Sequence, residues 1–322
     1  MSVINVAWRG VELYMRGLSN RRMTLPEVTA FRGMAELYLA QAMFRPDPST
    51  EVEQVRVPHD GGQVHGEWVE RGPSTRDSSV VLYVHGGAFV AFSPRTHRGM
   101  VSEIAARTGR SVFSVDYRMA PEYRFPSAAD DVLRAYSWLL ASGVPASQIV
   151  VAGDSAGGHL ALGLTPRAVR AGLPAPAAVV GISPLVDPSM ELASGWVAAR
   201  GRPDSFTPAA RATVGLYPRR MPLDHPELLL TNDDLSVMPP TLIQVSASEP
   251  LMADAEAYVE AMRAAGGDVS LHSWKGKPHV FQIAFRVSKT ASEALDELAA
   301  FALSKVGTVR TADTSLRNPQ DR

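Results

Sequence analysis

A chain of 322 residues, 45% of them hydrophobic, can bury a large core, and one α/β domain plus a small cap is the natural count. Lys and Arg number 32 against 33 Asp and Glu, leaving a net charge of -1, so no basic surplus points to nucleic acid or to an anionic membrane. Cysteine is absent, which excludes disulfides, thiolate catalysis and Cys-ligated zinc and fits a reducing, cytoplasmic setting.

The chain opens Met1-Ser2-Val3-Ile4-Asn5-Val6-Ala7-Trp8-Arg9, where charge soon interrupts the apolar stretch and no small-residue cleavage site follows. No secretory leader is expected, and no run of about 18 apolar residues predicts a membrane span. Ile4, Ala7, Trp8, Val11, Tyr14, Met15 and Leu18 recur at helical spacing, predicting a first helix over 3–18. Thr24-Leu25-Pro26-Glu27 is a capping box with proline in the first turn, so a second helix should run over about 25–44, until Pro46 and Pro48 stop it. Amphipathic helices at this end leave open a weak contact with a lipid surface, although acidic Glu12 and Glu36 lie within them.

Strands are predicted at 52–57, 65–70, 80–84, 111–116, 148–152, 177–182, 241–246 and 269–274, and helices at 97–108, 127–142, 155–171, 252–265 and 288–305. This alternation implies a mostly parallel, twisted sheet covered on both faces, with ligands at the carboxyl ends of its strands. Two glycine strings fall at such ends. Val84-His85-Gly86-Gly87-Ala88-Phe89 follows one strand and is the kind of loop that offers backbone N–H groups to an oxyanion. Gly153-Asp154-Ser155-Ala156-Gly157-Gly158 follows another and reads G-x-S-x-G, a sharp strand-to-helix turn that exposes a serine. Pro166 lies inside the helix after that serine, which predicts a bend or break near 163–166. Between Pro184 and Pro239 the rhythm breaks into a stretch rich in Pro, Arg and Asp, with Thr207-Pro208 as a helix start. From about residue 307 the chain turns polar, as disordered tails do.

Five strings in this order resemble the hormone-sensitive-lipase family of α/β-hydrolases, in its bacterial esterase and acetyl-hydrolase branch. They are His85-Gly86-Gly87-Ala88-Phe89, Asp116-Tyr117-Arg118-Met119-Ala120-Pro121-Glu122, Gly153-Asp154-Ser155-Ala156-Gly157-Gly158, Pro239-Pro240-Thr241-Leu242-Ile243 and His279-Val280-Phe281. The resemblance implies an α/β-hydrolase fold with a helical cap. It divides the chain into N-terminal cap helices (1–48), a first part of the core (49–186), a second cap segment (187–238), a second part of the core (239–306) and a tail (307–322).

Ser155 is the expected nucleophile, and it needs a base to take its proton. His279, in the loop after the last strand, fits the order serine, acid, histidine, and an imidazole suits taking and returning a proton near neutrality. The acid should lie after the strand at 241–246, in Ala247-Ser248-Glu249-Pro250-Leu251-Met252-Ala253-Asp254. Glu249 is preferred because it stands where the family commonly has Asp; Asp254, whose family counterpart serves the next helix, is the rival. The N–H groups of Gly86, Gly87 and Ala156 occupy the family's oxyanion positions, with Ala88 replacing a glycine that many relatives carry. Asp154 is read as fixing its loop, Arg118 as pairing with a carboxylate, and His159 as packing locally. Trp8, Phe89, Phe92, Trp196, Phe206, Tyr217 and Phe281 are candidates for an acyl or alcohol pocket. No zinc, phosphate or dinucleotide motif occurs, so no cofactor or metal is expected.

The expected activity is hydrolysis of short- to medium-chain carboxylic esters, with a small-molecule ester as partner and a homodimer left open. Three alternatives stand beside it: a non-catalytic small-molecule receptor on the same fold, an amidase, lactonase or deacetylase with the same triad, and an interfacial lipase.

Overall fold

The computed structural model describes residues 45–306, apart from 73–75, 77–78, 202–205 and 219–220. The two helices expected over 3–44 and the tail from 307 lie outside the described residues, as does Trp8. Among the described residues eight strands form one sheet: β1 (Glu51–His59), β2 (Gly62–Glu70), β3 (Val80–Val84), β4 (Ser111–Val115), β5 (Ile149–Asp154), β6 (Ala178–Ile182), β7 (Thr241–Ser246) and β8 (Val269–Trp274). Their spatial order is β1-β2-β4-β3-β5-β6-β7-β8. β1 and β2 form an antiparallel hairpin, β2 joins β4 antiparallel, and every later pairing is parallel.

The helices are α1 (Pro94–Thr108), α2 (Ser127–Ala141), α3 (Ser155–Arg170), α4 (Glu191–Ala198), α5 (Thr207–Val214), α6 (Met252–Ala264) and α7 (Lys289–Lys305). Each central strand is buried along its whole length because helices cover both faces. Alternate residues sort to opposite sides. Val81, Tyr83, Val150, Ala152, Val180 and Ile182 pack against Met100, Ile104, Leu295 and Leu298 of α1 and α7. Val80, Leu82, Val84, Val151 and Val179 face Val132, Leu139, Leu160, Leu164, Tyr258 and Met262 of α2, α3 and α6.

α3 continues through Pro166, so of the bend or break expected near 163–166 the break does not occur. Proline removes one backbone donor and costs about 3 kcal/mol inside a helix. The residues from Ala156 to Pro166 are all buried, with α3 wedged between the sheet and α2, so packing outweighs that local cost.

Between β6 and β7 the chain leaves the sheet to form α4, α5 and three single-turn 3-10 helices. Tyr217 ties this excursion to the core. The Tyr217 ring stacks on Phe89 with centroids 4.2 Å apart, and the Tyr217 carbonyl accepts the Phe125 N–H at 3.0 Å. At its start, Asp254 in the first turn of α6 accepts the N–H groups of Val186 and Asp187 at 2.9 and 2.8 Å. Burial pushes the Asp254 carboxyl up to about 7; the two N–H groups pull the other way, while the charges of Asp187 and Glu249 add to the push.

Two outcomes follow from this packing. A Cβ on Gly157 would fall 2.1 Å from the Val84 carbonyl oxygen and 2.4 Å from that of His85, both backbone atoms. Gly157→Ala is therefore expected to lower the unfolding free energy by about 1–3 kcal/mol or more, read by urea titration. For Asp254, a folded pKa raised from 3.8 to about 7 means that only the folded chain holds the proton between those values. Stability then falls as pH rises through that window, by up to about 1.4 kcal/mol per unit. Asp254→Asn removes the slope, so its stability should gain on the wild type between pH 4 and 7; parallel curves would assign the slope elsewhere.

Candidate active site

Ser155 is the first residue of α3, directly after β5, and its φ of +52° is left-handed. That strain is typical of a serine pushed out on a tight strand-to-helix turn. Glycine is required on either side of it: a Cβ on Gly153 would lie 2.4 Å from the Gly157 carbonyl oxygen, and Gly157 abuts the end of β3.

His279 lies in the loop that follows β8, before Val280, whose φ is +49°. Its Nε2 is 3.0 Å from Ser155 Oγ, and its Nδ1 donates to Glu249 Oε2. A carboxylate only accepts, so the neutral ring carries its proton on Nδ1 and leaves Nε2 to accept the Ser155 hydroxyl. Glu249 is 4% exposed, and its other oxygen, Oε1, accepts from Ser246 N–H at 2.9 Å and from the Ser183 hydroxyl at 2.6 Å. Asp254 turns away to the backbone of Val186 and Asp187, so of the two acids only Glu249 meets the imidazole. The structure thus brings together three side chains from the ends of β5, β7 and β8. A hydroxyl beside an imidazole backed by a carboxylate can surrender its proton as it attacks a carbonyl.

The loop after β3 differs from expectation in one respect. The Gly86 N–H points inward and donates to Asp154 Oδ1 at 3.0 Å, so it is not turned toward an oxyanion. A Cβ there would sit 2.2 Å from Asp154 Oδ2, which explains the glycine without any catalytic duty. The Gly87 and Ala88 N–H groups, next along the loop, donate to no acceptor among the described residues. Gly87, Ala88 and Phe89 adopt φ of +120°, +53° and +63°, a turn held by the Ala120 N–H on Phe89 O at 2.9 Å and by the Phe89–Tyr217 stack.

Asp154 anchors this loop. Its Oδ1 accepts the Tyr83 hydroxyl at 2.7 Å as well as Gly86, and His97 Nε2 approaches to 3.4 Å. Burial alone would push the Asp154 carboxyl up, but His97 and the Tyr83 hydroxyl outweigh it and hold the group below its ordinary value. His85 stacks on Tyr117 with centroids 4.2 Å apart, and burial, then repulsion from His97, lowers it to about 3. It is a neutral structural ring whose carbonyl accepts the Tyr117 hydroxyl at 2.9 Å. His97 and Ser183 sit in no motif: the packing of α1 over β3 brings His97 to Asp154, and the pairing of β6 with β7 brings Ser183 to Glu249.

The remaining side chains fall into place around this centre. His159 donates Nδ1–H to the Leu185 carbonyl at 3.1 Å, and burial lowers it to about 4. Arg118 makes a two-pronged pair with Asp131, both contacts 2.8 Å. The Phe206 ring lies 6.0 Å from the His279 ring, whereas Phe281 packs on Trp274, away from the serine turn. Among the described residues no group of three or more His, Cys, Asp or Glu is placed to hold a metal, and no helix is long and apolar enough to cross a membrane.

The alpha/beta hydrolase fold family matches residues 81–283. Carboxylesterase/phospholipase LipF of Mycobacterium tuberculosis is 34% identical over 300 residues, which span 85% of this chain and 73% of its own. An acetyl-hydrolase of Streptomyces hygroscopicus is 35% identical over 252 residues, 76% of this chain and 82% of its own. Among solved structures, an esterase from the bacterial hormone-sensitive lipase family matches with TM-score 0.80 and 32% identity, covering 94% of this chain and 98% of that one. EstE5, in a crystal soaked with p-nitrophenyl butyrate, matches with TM-score 0.78 and 28% identity, covering 91% and 97%. With the family pattern spanning the strands that carry the serine, the carboxylate and most of the sheet between them, the chain belongs to the α/β-hydrolases, in their bacterial hormone-sensitive-lipase branch.

Proposed function

We propose that the chain is a serine carboxylesterase that cleaves short- to medium-chain esters through an acyl-enzyme on Ser155. Its class is that of its relatives, a carboxylic ester hydrolase. The observation that carries the finer reading is the approach of His279 Nε2 to Ser155 Oγ at 3.0 Å with Glu249 on the far side of the ring.

Ser155 Oγ attacks the ester carbonyl while its proton passes to His279 Nε2. Glu249 keeps Nδ1–H in place and stabilises the imidazolium. Negative charge collects on the former carbonyl oxygen, where the N–H groups of Gly87, Ala88 and Ala156 receive it; each such donor is worth about 2.7–4 kcal/mol. Collapse of the tetrahedral intermediate expels the alcohol, which takes the proton from Nε2. Water then gives a proton to the same nitrogen and attacks the acyl group, and the second collapse frees the acid and returns the proton to Ser155.

Residues 187–238, together with 1–48, form the cap of this reading. The Phe206 ring near the imidazole supports it, since that residue belongs to the excursion between β6 and β7. A ring so close to the base restricts the space for the ester, and a solved relative soaked with a butyrate ester supports the same acyl range.

A panel of p-nitrophenyl esters from acetate to palmitate tests the reading. Turnover is expected to peak at short to medium chains and to fall roughly 10⁴-fold or more in Ser155→Ala. Turnover surviving that substitution removes the reading. Glu249→Gln should cost about 10³–10⁴-fold in kcat, because the imidazole loses its orienting carboxylate. Asp254→Asn, remote from the ring, should stay within a few-fold of wild type; the reverse ranking would transfer the acid's role to Asp254.

A further inference from the structure

We infer that Ser183, which nothing in the sequence motifs singles out, is a positioning residue: its hydroxyl fixes the Glu249 carboxylate and the backbone beside His279 at once. Ser183 follows β6 directly and is fully buried. Its Oγ donates to Glu249 Oε1 at 2.6 Å and accepts the Val280 N–H at 3.3 Å. The direction of both bonds is forced. A carboxylate oxygen only accepts and a backbone N–H only donates, so the single hydroxyl proton goes to Glu249 and a lone pair faces Val280.

The consequence for the site is geometric. Ser183 and Ser246 N–H together occupy Oε1, at 2.6 and 2.9 Å, so the other oxygen, Oε2, is the one presented to His279 Nδ1. The second bond holds Val280, the residue after His279, in a left-handed conformation at φ +49°, an unfavourable region for a β-branched side chain. Ser183 is itself left-handed at φ +44°, and its N–H is donated to the Gln244 carbonyl of β7 at 2.6 Å. Two strained non-glycine residues joined by one buried hydroxyl persist only where the surroundings over-determine them. Ser183 touches neither Ser155 nor the position of the ester; it acts through Glu249 and the histidine loop.

This inference rests on the reading of Ser155, His279 and Glu249 as a triad, and its test separates the two. Ser183→Ala and Ser183→Gly are each made alone and with Glu249→Gln. Hydrolysis of p-nitrophenyl butyrate is measured above a Ser155→Ala baseline, with the melting temperature followed for every variant. Removing a hydrogen bond to a charged group should lower kcat roughly ten- to a hundred-fold with KM unchanged. Ala and Gly should behave alike, because both lack the hydroxyl. With Glu249→Gln already present, the same substitutions should change kcat by less than about threefold, since the group through which Ser183 acts is gone. Equal losses in both backgrounds would overturn the inference, as would recovery of activity in Ser183→Gly, which would mark relief of backbone strain as the cause. Should truncation unfold the chain, Ser183→Cys keeps the side-chain size with a weaker donor; wild-type kcat in that variant would also overturn the inference. A harmless Glu249→Gln would instead show that the triad assignment itself fails.

Discussion

The close approach of two backbone segments governs the architecture of this site. The first turn of α3 rests on the end of β3 so tightly that Gly157 has the carbonyls of Val84 and His85 where a side chain would be. That approach pushes Ser155 into a left-handed turn and sets the loop after β3 beside it. Ala88 and Phe89 in that loop also have positive φ, held by Ala120, Tyr217 and the Asp154 carboxylate beneath. Strain of this sort is sustained by its surroundings, and here they are the parallel ladder from β3 to β5 and the helices packed on both faces.

Under the serine turn, polar groups take the place of apolar packing. Asp154 is buried with its charge, and the Tyr83 hydroxyl, the Gly86 N–H and His97 surround it. A buried carboxylate is tolerable only when donors surround it, and these donors come from β3, its following loop and α1. The same carboxylate that stabilises the turn thereby sets which backbone N–H groups remain free along the glycine loop. Gly86 is spent inward, and the Gly87 and Ala88 N–H groups are left without an acceptor among the described residues.

Much of this was legible in the chain. The strands β3, β6, β7 and β8 fall within a residue of their expected bounds, because short segments rich in apolar and β-branched residues lie there between turn-forming stretches. Ser155 and His279 were legible from the tight turn and from the order of segments, and the structure sets them 3.0 Å apart. What a linear reading could not resolve depended on direction or on neighbours. Glu249 and Asp254 lie in one short stretch, and only the entry of α6 turns one toward β8 and the other toward the loop after β6. The inward turn of the Gly86 N–H is a matter of backbone torsion, which residue type does not report. Pro166 was read from local cost alone, while the burial of α3 on all sides decided the outcome. Ser183 becomes visible only once β6 and β7 are known to be adjacent.

The sheet order places His279 at a vulnerable spot. Ser155 and the glycine loop hang from β5 and β3, which are flanked by partners on both sides, whereas His279 hangs from β8, the outermost strand and, among the described residues, paired on one side alone. Fraying of that margin would carry the imidazole off while leaving the serine turn intact. Heat or mild denaturant should accordingly part the His279 and Ser155 side chains before bulk helicity declines, and cooling should rejoin them without refolding of the interior.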